Sequence, residues 1–326
     1  MFVYITRRFA DSGIKLLKAK GYQVRIYPKD QIIPRDELLK NIRGASAIVP
    51  LLTEHIDEEV FRAAGSSLKI IANYAVGFDN VDLEAAKRHD VVVTNTPSER
   101  VSEAVAEHTL ALMMGLARNI PQADAYVKNK QYQGWSPTIF LGTELTGKTL
   151  GLIGAGRIGA SVARRAFYGL GMHVVYSDNK PNTDLEQQES AKRIPINKLL
   201  RIADFVSLHV PLLPTTRHLI STKEFDVMKK TSFLVNTARG PVVDEKALLK
   251  ALRDKKIAGA ALDVFECEPA IDCDIRDNLE LRSFPNVILT PHIASATIEA
   301  REDMSLIAAK NIIAVLGGKK PLTPAS

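Results

Sequence analysis

Short apolar runs recur along this chain, separated by stretches in which apolar residues return every three or four positions. Val3–Thr6, Val24–Tyr27, Ala47–Leu51, Ile70–Asn73 and Val91–Thr94 are too short for buried helices and read as strands. Between them, Ile14–Lys20, Glu37–Ile42, Glu58–Ala64 and Leu83–Arg88 carry a helical period. Pro34 is placed as a first-turn residue of the second of these helices. Alternation of this kind predicts a parallel sheet wrapped by helices. Val101–Ala117 reads as a longer helix that leads into a second region. Asn119–Leu145, interrupted by Pro121, Gly134, Pro137 and Gly142, shows no period and reads as an irregular functional or interface arm.

A second alternating series begins at Thr149. Its predicted strands are Leu150–Ile153, His173–Ser177, Phe205–His209, Phe233–Asn236, Gly259–Asp263 and Val287–Thr290. The helices between them are Ile158–Leu170, Ile196–Arg201, Thr222–Val227 and Glu245–Lys255. A last amphipathic helix, Ile298–Leu316, follows the final strand and can return to the first region. The expected fold class is therefore α/β, with two doubly wound parallel-sheet domains. A Rossmann nucleotide-binding domain (99–292) is inserted in a flavodoxin-like substrate domain (1–98 and 293–326), with a ligand cleft between them.

The second series opens on Gly154-Ala-Gly156-Arg157-Ile158-Gly159, between a strand and a helix, and its next strand ends on Asp178. Strand, glycine turn, helix, strand and acid in this order predict a dinucleotide site. The glycines allow a tight turn and close approach of a pyrophosphate, and the helix N-terminus offers unpaired N–H groups. A carboxylate at Asp178 accepts from ribose hydroxyls and repels a 2′-phosphate, so NAD(H) is preferred over NADP(H). Lys180 is a weaker opposing signal.

Composition narrows the choices. The 326 residues suffice for two domains. No apolar run approaches the ~18 residues that a membrane span requires, and Met1–Thr6 reads as a first strand, not a secretion signal. The two cysteines, Cys267 and Cys273, suit a reducing cytoplasm better than a disulfide scaffold, and they are expected to have no special role. Neither they nor the acids near them form a metal-ligand pattern. The net charge of +6 arises from 43 basic and 37 acidic residues mixed along helices. That dispersal suits a mild attraction for small anions, and it lacks the concentrated patch of a nucleic-acid binder.

Three polar segments follow predicted strands of the second series, where doubly wound sheets bind ligands. They are Asn236-Thr-Ala-Arg239-Gly240, Asp263-Val-Phe-Glu266-Cys-Glu268-Pro269 and Pro291-His292-Ile-Ala-Ser295. An arginine, an acid and a histidine suit the reduction of a 2-oxo acid. Arg239 can fork onto the carboxylate and ketone oxygens. His292 can supply the proton, and a glutamate on its other ring nitrogen fixes the tautomer and favours the charged ring. Arg239 also fits a surface arginine, and His292 a hydrogen-bonded structural histidine. His55, His89, His108, His173, His209 and His218 are assigned to that structural class. Spacing alone does not choose between Glu266 and Glu268.

These segments, with Asn73-Tyr-Ala-Val76-Gly77-Phe-Asp-Asn80, make the chain resemble the D-isomer-specific 2-hydroxyacid dehydrogenases over essentially its full length. The resemblance implies a catalytic set of Arg239, Glu268 and His292, choosing Glu268 as the glutamate directly before the proline. It implies substrate contacts from Leu51, the amides of Val76 and Gly77, and Ser295. For the cofactor it implies pyrophosphate amides at Arg157 and Ile158, an apolar lip of His209, Val210 and Pro211, a wall at Thr237 and Ala238, and a carboxamide partner in Asp263. It also implies a homodimer joined through the nucleotide domain, with Trp135 either reaching the partner's pocket or simply lying in the interface. Within the family, Trp135-Ser-Pro137, Asn236–Asp244 and Lys320–Pro324 resemble glyoxylate and hydroxypyruvate reductases. The chain ends without the C-terminal regulatory region of many phosphoglycerate dehydrogenases. D-lactate or D-3-phosphoglycerate dehydrogenase activity and an NADH-sensing, corepressor-like role stand as alternatives. A formate-oxidising relative would carry Gln in place of Glu268.

Overall fold

The computed structural model describes residues 1–268 and 280–325. In chain order its strands and helices are β1 (Phe2–Ile5), α1 (Asp11–Ala19), β2 (Gln23–Ile26), α2 (Arg35–Asn41), β3 (Ala47–Val49), α3 (Glu58–Ala64), β4 (Ile70–Ala72), α4 (Leu83–Arg88), β5 (Val92–Thr94), α5 (Glu99–Ala117) and α6 (Ile120–Lys128). There follow β6 (Thr149–Ile153), α7 (Arg157–Leu170), β7 (His173–Ser177), α8 (Thr183–Gln188), β8 (Lys192–Arg193), α9 (Ile196–Ile202) and β9 (Phe205–Leu208). The chain continues through α10 (Thr222–Val227), β10 (Phe233–Asn236), α11 (Glu245–Arg253), β11 (Gly259–Leu262), β12 (Val287–Leu289) and α12 (Ile298–Leu316). Two units result: Met1–Val101 with the stretch from Ala296 onward, and Ser102–Glu268 with the stretch ending at Ser295.

The first unit holds a five-stranded parallel sheet in the order β2-β1-β3-β4-β5, the flavodoxin-like arrangement. Alternation along each strand divides its core. Phe2, Tyr4 and Ile71 join Leu38, Phe61 and Ala85 of α2, α3 and α4 in one cluster. Helices α1 and α12 pack on each other, and α12 packs on β4 and β5. Their contact is close because Gly13 has no side chain. Its amide donates to Ser305 Oγ at 2.9 Å, Ser305 Oγ donates to the Ala10 carbonyl at 2.6 Å, and a Cβ on Gly13 would lie 2.1 Å from the Ser305 carbonyl oxygen.

The second unit holds a seven-stranded parallel sheet, β12-β11-β10-β9-β6-β7-β8. Its central strands β6, β9, β10 and β11 are buried on both faces and so read as continuous apolar runs, whereas the edge strand β8 is exposed. Phe233 and Val235 of β10 join a cluster with α5 and α7, whereas Leu234 between them joins α9, α10 and α11. The chain moves from β6 outward to β7 and β8, then returns to the other side of β6 as β9. The β6/β9 boundary is thus the topological switch point, where open α/β sheets take ligands.

Several local expectations change. Pro34 lies just before α2, where its carbonyl accepts from the Leu38 amide at 2.9 Å. The stretch expected to be irregular contains α6, capped by a left-handed Asn119 and opened with Pro121 in its first turn. None of its residues is buried, so its apolar positions do not face a core. The short elements α8 and β8 were not anticipated. Cys267 is disulfide-bonded, which corrects the expectation of an unpaired thiol. Cys273 lies outside the described residues. Among the described residues, no helix is long and apolar enough to cross a membrane.

Replacing Gly13 with Ala should overpack the α1–α12 contact at a cost of about 1–3 kcal/mol. Thermal unfolding should show a lower Tm, and an unchanged Tm would mean that the helices separate without cost.

Candidate active site

Three consecutive neighbours in the larger sheet, β10, β11 and β12, each deliver one predicted segment at their carboxyl ends. After β10, the Asn236 side chain holds the turn bearing Arg239. Its Nδ2 donates to the Arg239 carbonyl at 2.9 Å, and its Oδ1 accepts from the Ala238 amide at 3.0 Å. The Arg239 guanidinium is half-buried and donates from Nη1 to the Ala238 carbonyl at 2.8 Å. Thr237 is buried, its hydroxyl 3.0 Å from that of Thr109 on α5.

After β12 the chain turns sharply at His292, whose φ of +54° lies in the left-handed region, uncommon for a residue with a Cβ. Asp263, at the end of β11 and 0% exposed, holds this turn. Its carbonyl accepts from the His292 amide at 2.8 Å. Its Oδ1 accepts from the Thr290 hydroxyl at 2.5 Å and the Ile293 amide at 2.9 Å, and its Oδ2 accepts from the Ala294 amide at 2.8 Å. Burial pushes the Asp263 carboxyl upward, but hydrogen bonds from His108, Thr290 and the two amides outweigh it, so the group lies below its ordinary value. Ser295 stands half-buried at the end of the turn.

The turn aims the His292 ring at Glu268, with Nδ1 2.7 Å from Glu268 Oε2. A carboxylate only accepts, so Nδ1 carries the hydrogen and Nε2 is the nitrogen that Glu268 does not engage. Nε2 has no partner among the described residues. Glu266 is engaged elsewhere. Its Oε1 lies 2.6 Å from His218 Nε2, and it exchanges backbone-to-carboxylate hydrogen bonds with Glu245. The two glutamates that spacing left equivalent thus have separate partners.

The glycine turn lies at the switch point. Gly154 has φ of +96°, and a Cβ there would meet the His209 carbonyl oxygen at 2.5 Å and Val210 Cγ1 at 3.1 Å. Gly156 precedes α7, which no side chain caps, so its opening amides at Arg157 and Ile158 are available to an anion. Gly159 completes the turn against the Gly154 carbonyl. The half-buried Asp178 accepts from the Ala155 amide at 2.8 Å and the Lys180 amide at 3.1 Å, tying the acid to the glycine turn. The Pro211 carbonyl accepts from the Thr216 hydroxyl at 2.6 Å. His209 Nε2 lies 2.9 Å from Ser207 Oγ, and burial pushes this imidazole down to about 3.

Residues 110–294 match the family model described as D-isomer specific 2-hydroxyacid dehydrogenase, NAD binding domain. The chain belongs to that family. It is similar to the glyoxylate reductase of Thermococcus litoralis, at 44% identity over 323 residues, covering 98% of this chain and 95% of that protein. The crystal structure of the TT0316 protein from Thermus thermophilus matches with a TM-score of 0.91 and 40% identity, over 100% of both chains. An NADPH-dependent glyoxylate/hydroxypyruvate reductase from Sinorhizobium meliloti matches with a TM-score of 0.83 and 29% identity, over 99% of this chain and 97% of that one. This 2-hydroxyacid dehydrogenase is therefore an oxidoreductase with an NAD-binding domain.

The remaining predicted site residues belong to the first unit. The Leu51 amide donates to Glu54 Oε2 at 2.7 Å, and its carbonyl accepts from Asn80 Nδ2 at 3.0 Å. Glu54 is buried and also accepts from the hydroxyls of Thr6 and Thr53, each at 2.5 Å. Asn95 Nδ2 donates to the Val76 carbonyl at 2.7 Å and Asn73 Nδ2 to the Gly77 carbonyl at 2.9 Å. With both carbonyls held, the Val76 and Gly77 amides have no acceptor among the described residues. Sequence reading did not single out Glu54 or Asn80, and it placed His108 among hydrogen-bonded structural histidines, where its contacts with Thr290 and Asp263 put it. Glu54 lies between Thr53 and His55, Asn80 follows Asp79, and His108 lies between Glu107 and Thr109, so none stands out from its neighbours.

His209 gives a pH dependence. Its folded value of about 3 lies below the ordinary ~6.5, so the unfolded chain binds more protons between the two. The stability associated with the neutral ring is complete above about pH 6.5 and is lost as pH falls toward 3. Because the ring keeps some solvent contact, the slope should be shallower than full burial would give. Tm measured from pH 4 to 8 should fall less steeply with acid for His209→Gln than for the parent. Parallel curves would show that this imidazole contributes nothing to acid sensitivity.

Proposed function

We propose that this dehydrogenase reduces small 2-oxo acids, foremost glyoxylate and hydroxypyruvate, to D-2-hydroxy acids with NADH, reversibly. The observation that carries this reading is the His292–Glu268 couple, 2.7 Å between Nδ1 and Oε2, with Nε2 left for a substrate oxygen. Glu268 holds Nδ1 and so orients the ring. His292 then gives a proton from Nε2 to the ketone oxygen, and it takes one back in the oxidative direction. Arg239 supplies forked, permanently charged donors for the substrate carboxylate. The unused Val76 and Gly77 amides offer a second set of carboxylate donors. The nicotinamide cofactor supplies the hydride.

The uncapped start of α7, with Gly154, Gly156 and Gly159 before and within it, fits a dinucleotide pyrophosphate. His209, Val210 and Pro211 form the lip for the adenine, Thr237 and Ala238 line the pocket, and Asp263 is assigned to the carboxamide. The Asp178 carboxylate presents negative charge where a 2′-phosphate would stand, favouring NADH. The Sinorhizobium meliloti reductase is NADPH-dependent, so the shared fold does not by itself choose the cofactor. We also assign the arm 119–145 to a homodimer interface. Trp135 is 82% and Leu141 72% exposed there, an arrangement expected of surface that a second copy covers.

Steady-state rates with glyoxylate, hydroxypyruvate, pyruvate and 3-phosphohydroxypyruvate, each with NADH and NADPH, test the substrate assignment. The first two with NADH should give the highest kcat/KM, and a preference for pyruvate or the phosphorylated acid would replace the reading. Asp178→Asn keeps an acceptor for the Ala155 amide but removes the charge. It should raise the NADPH-to-NADH ratio of kcat/KM by at least about tenfold, and an unchanged ratio would remove Asp178 from cofactor selection.

A further inference from the structure

We infer that His108 is a positioning residue for this reaction, holding the His292 turn through Thr290 and Asp263. The inference rests on the reading of His292 as the acid/base group. His108 belongs to α5, among the buried apolar residues Val105, Ala106, Leu110 and Met113. Its Nε2 lies 3.1 Å from Thr290 Oγ1 and 3.4 Å from Asp263 Oδ1.

Proton counting fixes the direction of these contacts. The Thr290 hydroxyl has one hydrogen and lies 2.5 Å from Asp263 Oδ1. The carboxylate has none to give, so Thr290 donates to it. The Thr290 oxygen therefore accepts from His108, and His108 Nε2 carries the hydrogen. This donor completes the set around Asp263, whose carboxylate also holds the Ile293 and Ala294 amides.

The consequence for chemistry follows from what Asp263 carries. Residues 290, 293 and 294 are tied to its carboxylate, and the His292 amide to its carbonyl. Without His108, a fully buried carboxylate loses a donor and the Thr290 hydroxyl is free to rotate. Either change moves the turn, and with it the ring relative to Glu268. The next residue, Thr109, shares a hydroxyl contact with Thr237. Consecutive residues of one rigid helix thus fasten the segments after β10, β11 and β12.

The test compares kcat, KM for NADH and Tm for the parent, His108→Leu, His108→Gln and His292→Ala, with glyoxylate as substrate. Leucine keeps the volume but removes the donor, whereas glutamine restores an N–H at nearly the same reach. His108→Leu should lower kcat about ten- to a hundredfold, leave KM for NADH unchanged, and be largely rescued in His108→Gln. Should the leucine variant fail to fold, Thr290→Val removes the intervening hydroxyl and should give the same loss. Parental kcat in His108→Leu, or a glutamine variant as slow as leucine with kcat tracking Tm, overturns the inference. If His292→Ala is inactive in that case, only the His108 role falls. If His292→Ala turns over normally, the acid/base reading and the inference fall together.

Discussion

A buried carboxylate that must be satisfied organises this active site. Asp263 has no solvent contact, so its charge is tolerable only if protein donors surround it. The donors available are the amides and hydroxyl of the segment after β12, and collecting them bends that segment into the left-handed turn at His292. The strain of that backbone conformation is offset by the hydrogen bonds it makes possible. The product is an imidazole whose Nδ1 meets Glu268 and whose Nε2 is left open. An electrostatic requirement at the end of one strand thus fixes the geometry of an imidazole after the next.

The same logic operates at the other loops. Asp178 holds the glycine turn through the Ala155 amide, and Asn236 holds the Arg239 turn at two points. In the first unit, Glu54, Asn73, Asn80 and Asn95 occupy backbone groups of the predicted substrate loops and leave the Val76 and Gly77 amides unused. Each loop is irregular in backbone yet rigidly determined, because a polar side chain at or near a strand end takes up groups that no neighbouring strand can pair. Parallel sheets suit this arrangement: all their carboxyl ends face one way, so several such turns collect along one edge.

Much of this was legible in the sequence, and the reasons differ by element. Strands buried on both faces leave apolar runs, so both parallel sheets could be read directly, except for the exposed β8. The glycine turn and Asp178 were legible because their spacing is local. Helix α6 was not, since it buries nothing and its sequence need carry no period. Glu266 and Glu268 could not be separated by spacing, because the distinction lies in their partners, His218 and Glu245 for one and His292 for the other. His108 was read as a hydrogen-bonded structural histidine, but its partner, Thr290, is 182 residues away and could not be named. Long-range polar pairing leaves no periodic trace in a single chain.

The most direct measurement is the rate of NADH oxidation by glyoxylate at saturating cofactor for His292→Ala and Glu268→Gln, with NADH affinity measured in parallel. The rate should drop by about two to four orders of magnitude for the histidine variant, with a smaller loss for Glu268→Gln, while both bind NADH as the parent does. A histidine variant that binds NADH and turns over at the parental rate would contradict the assignment of this couple to proton transfer.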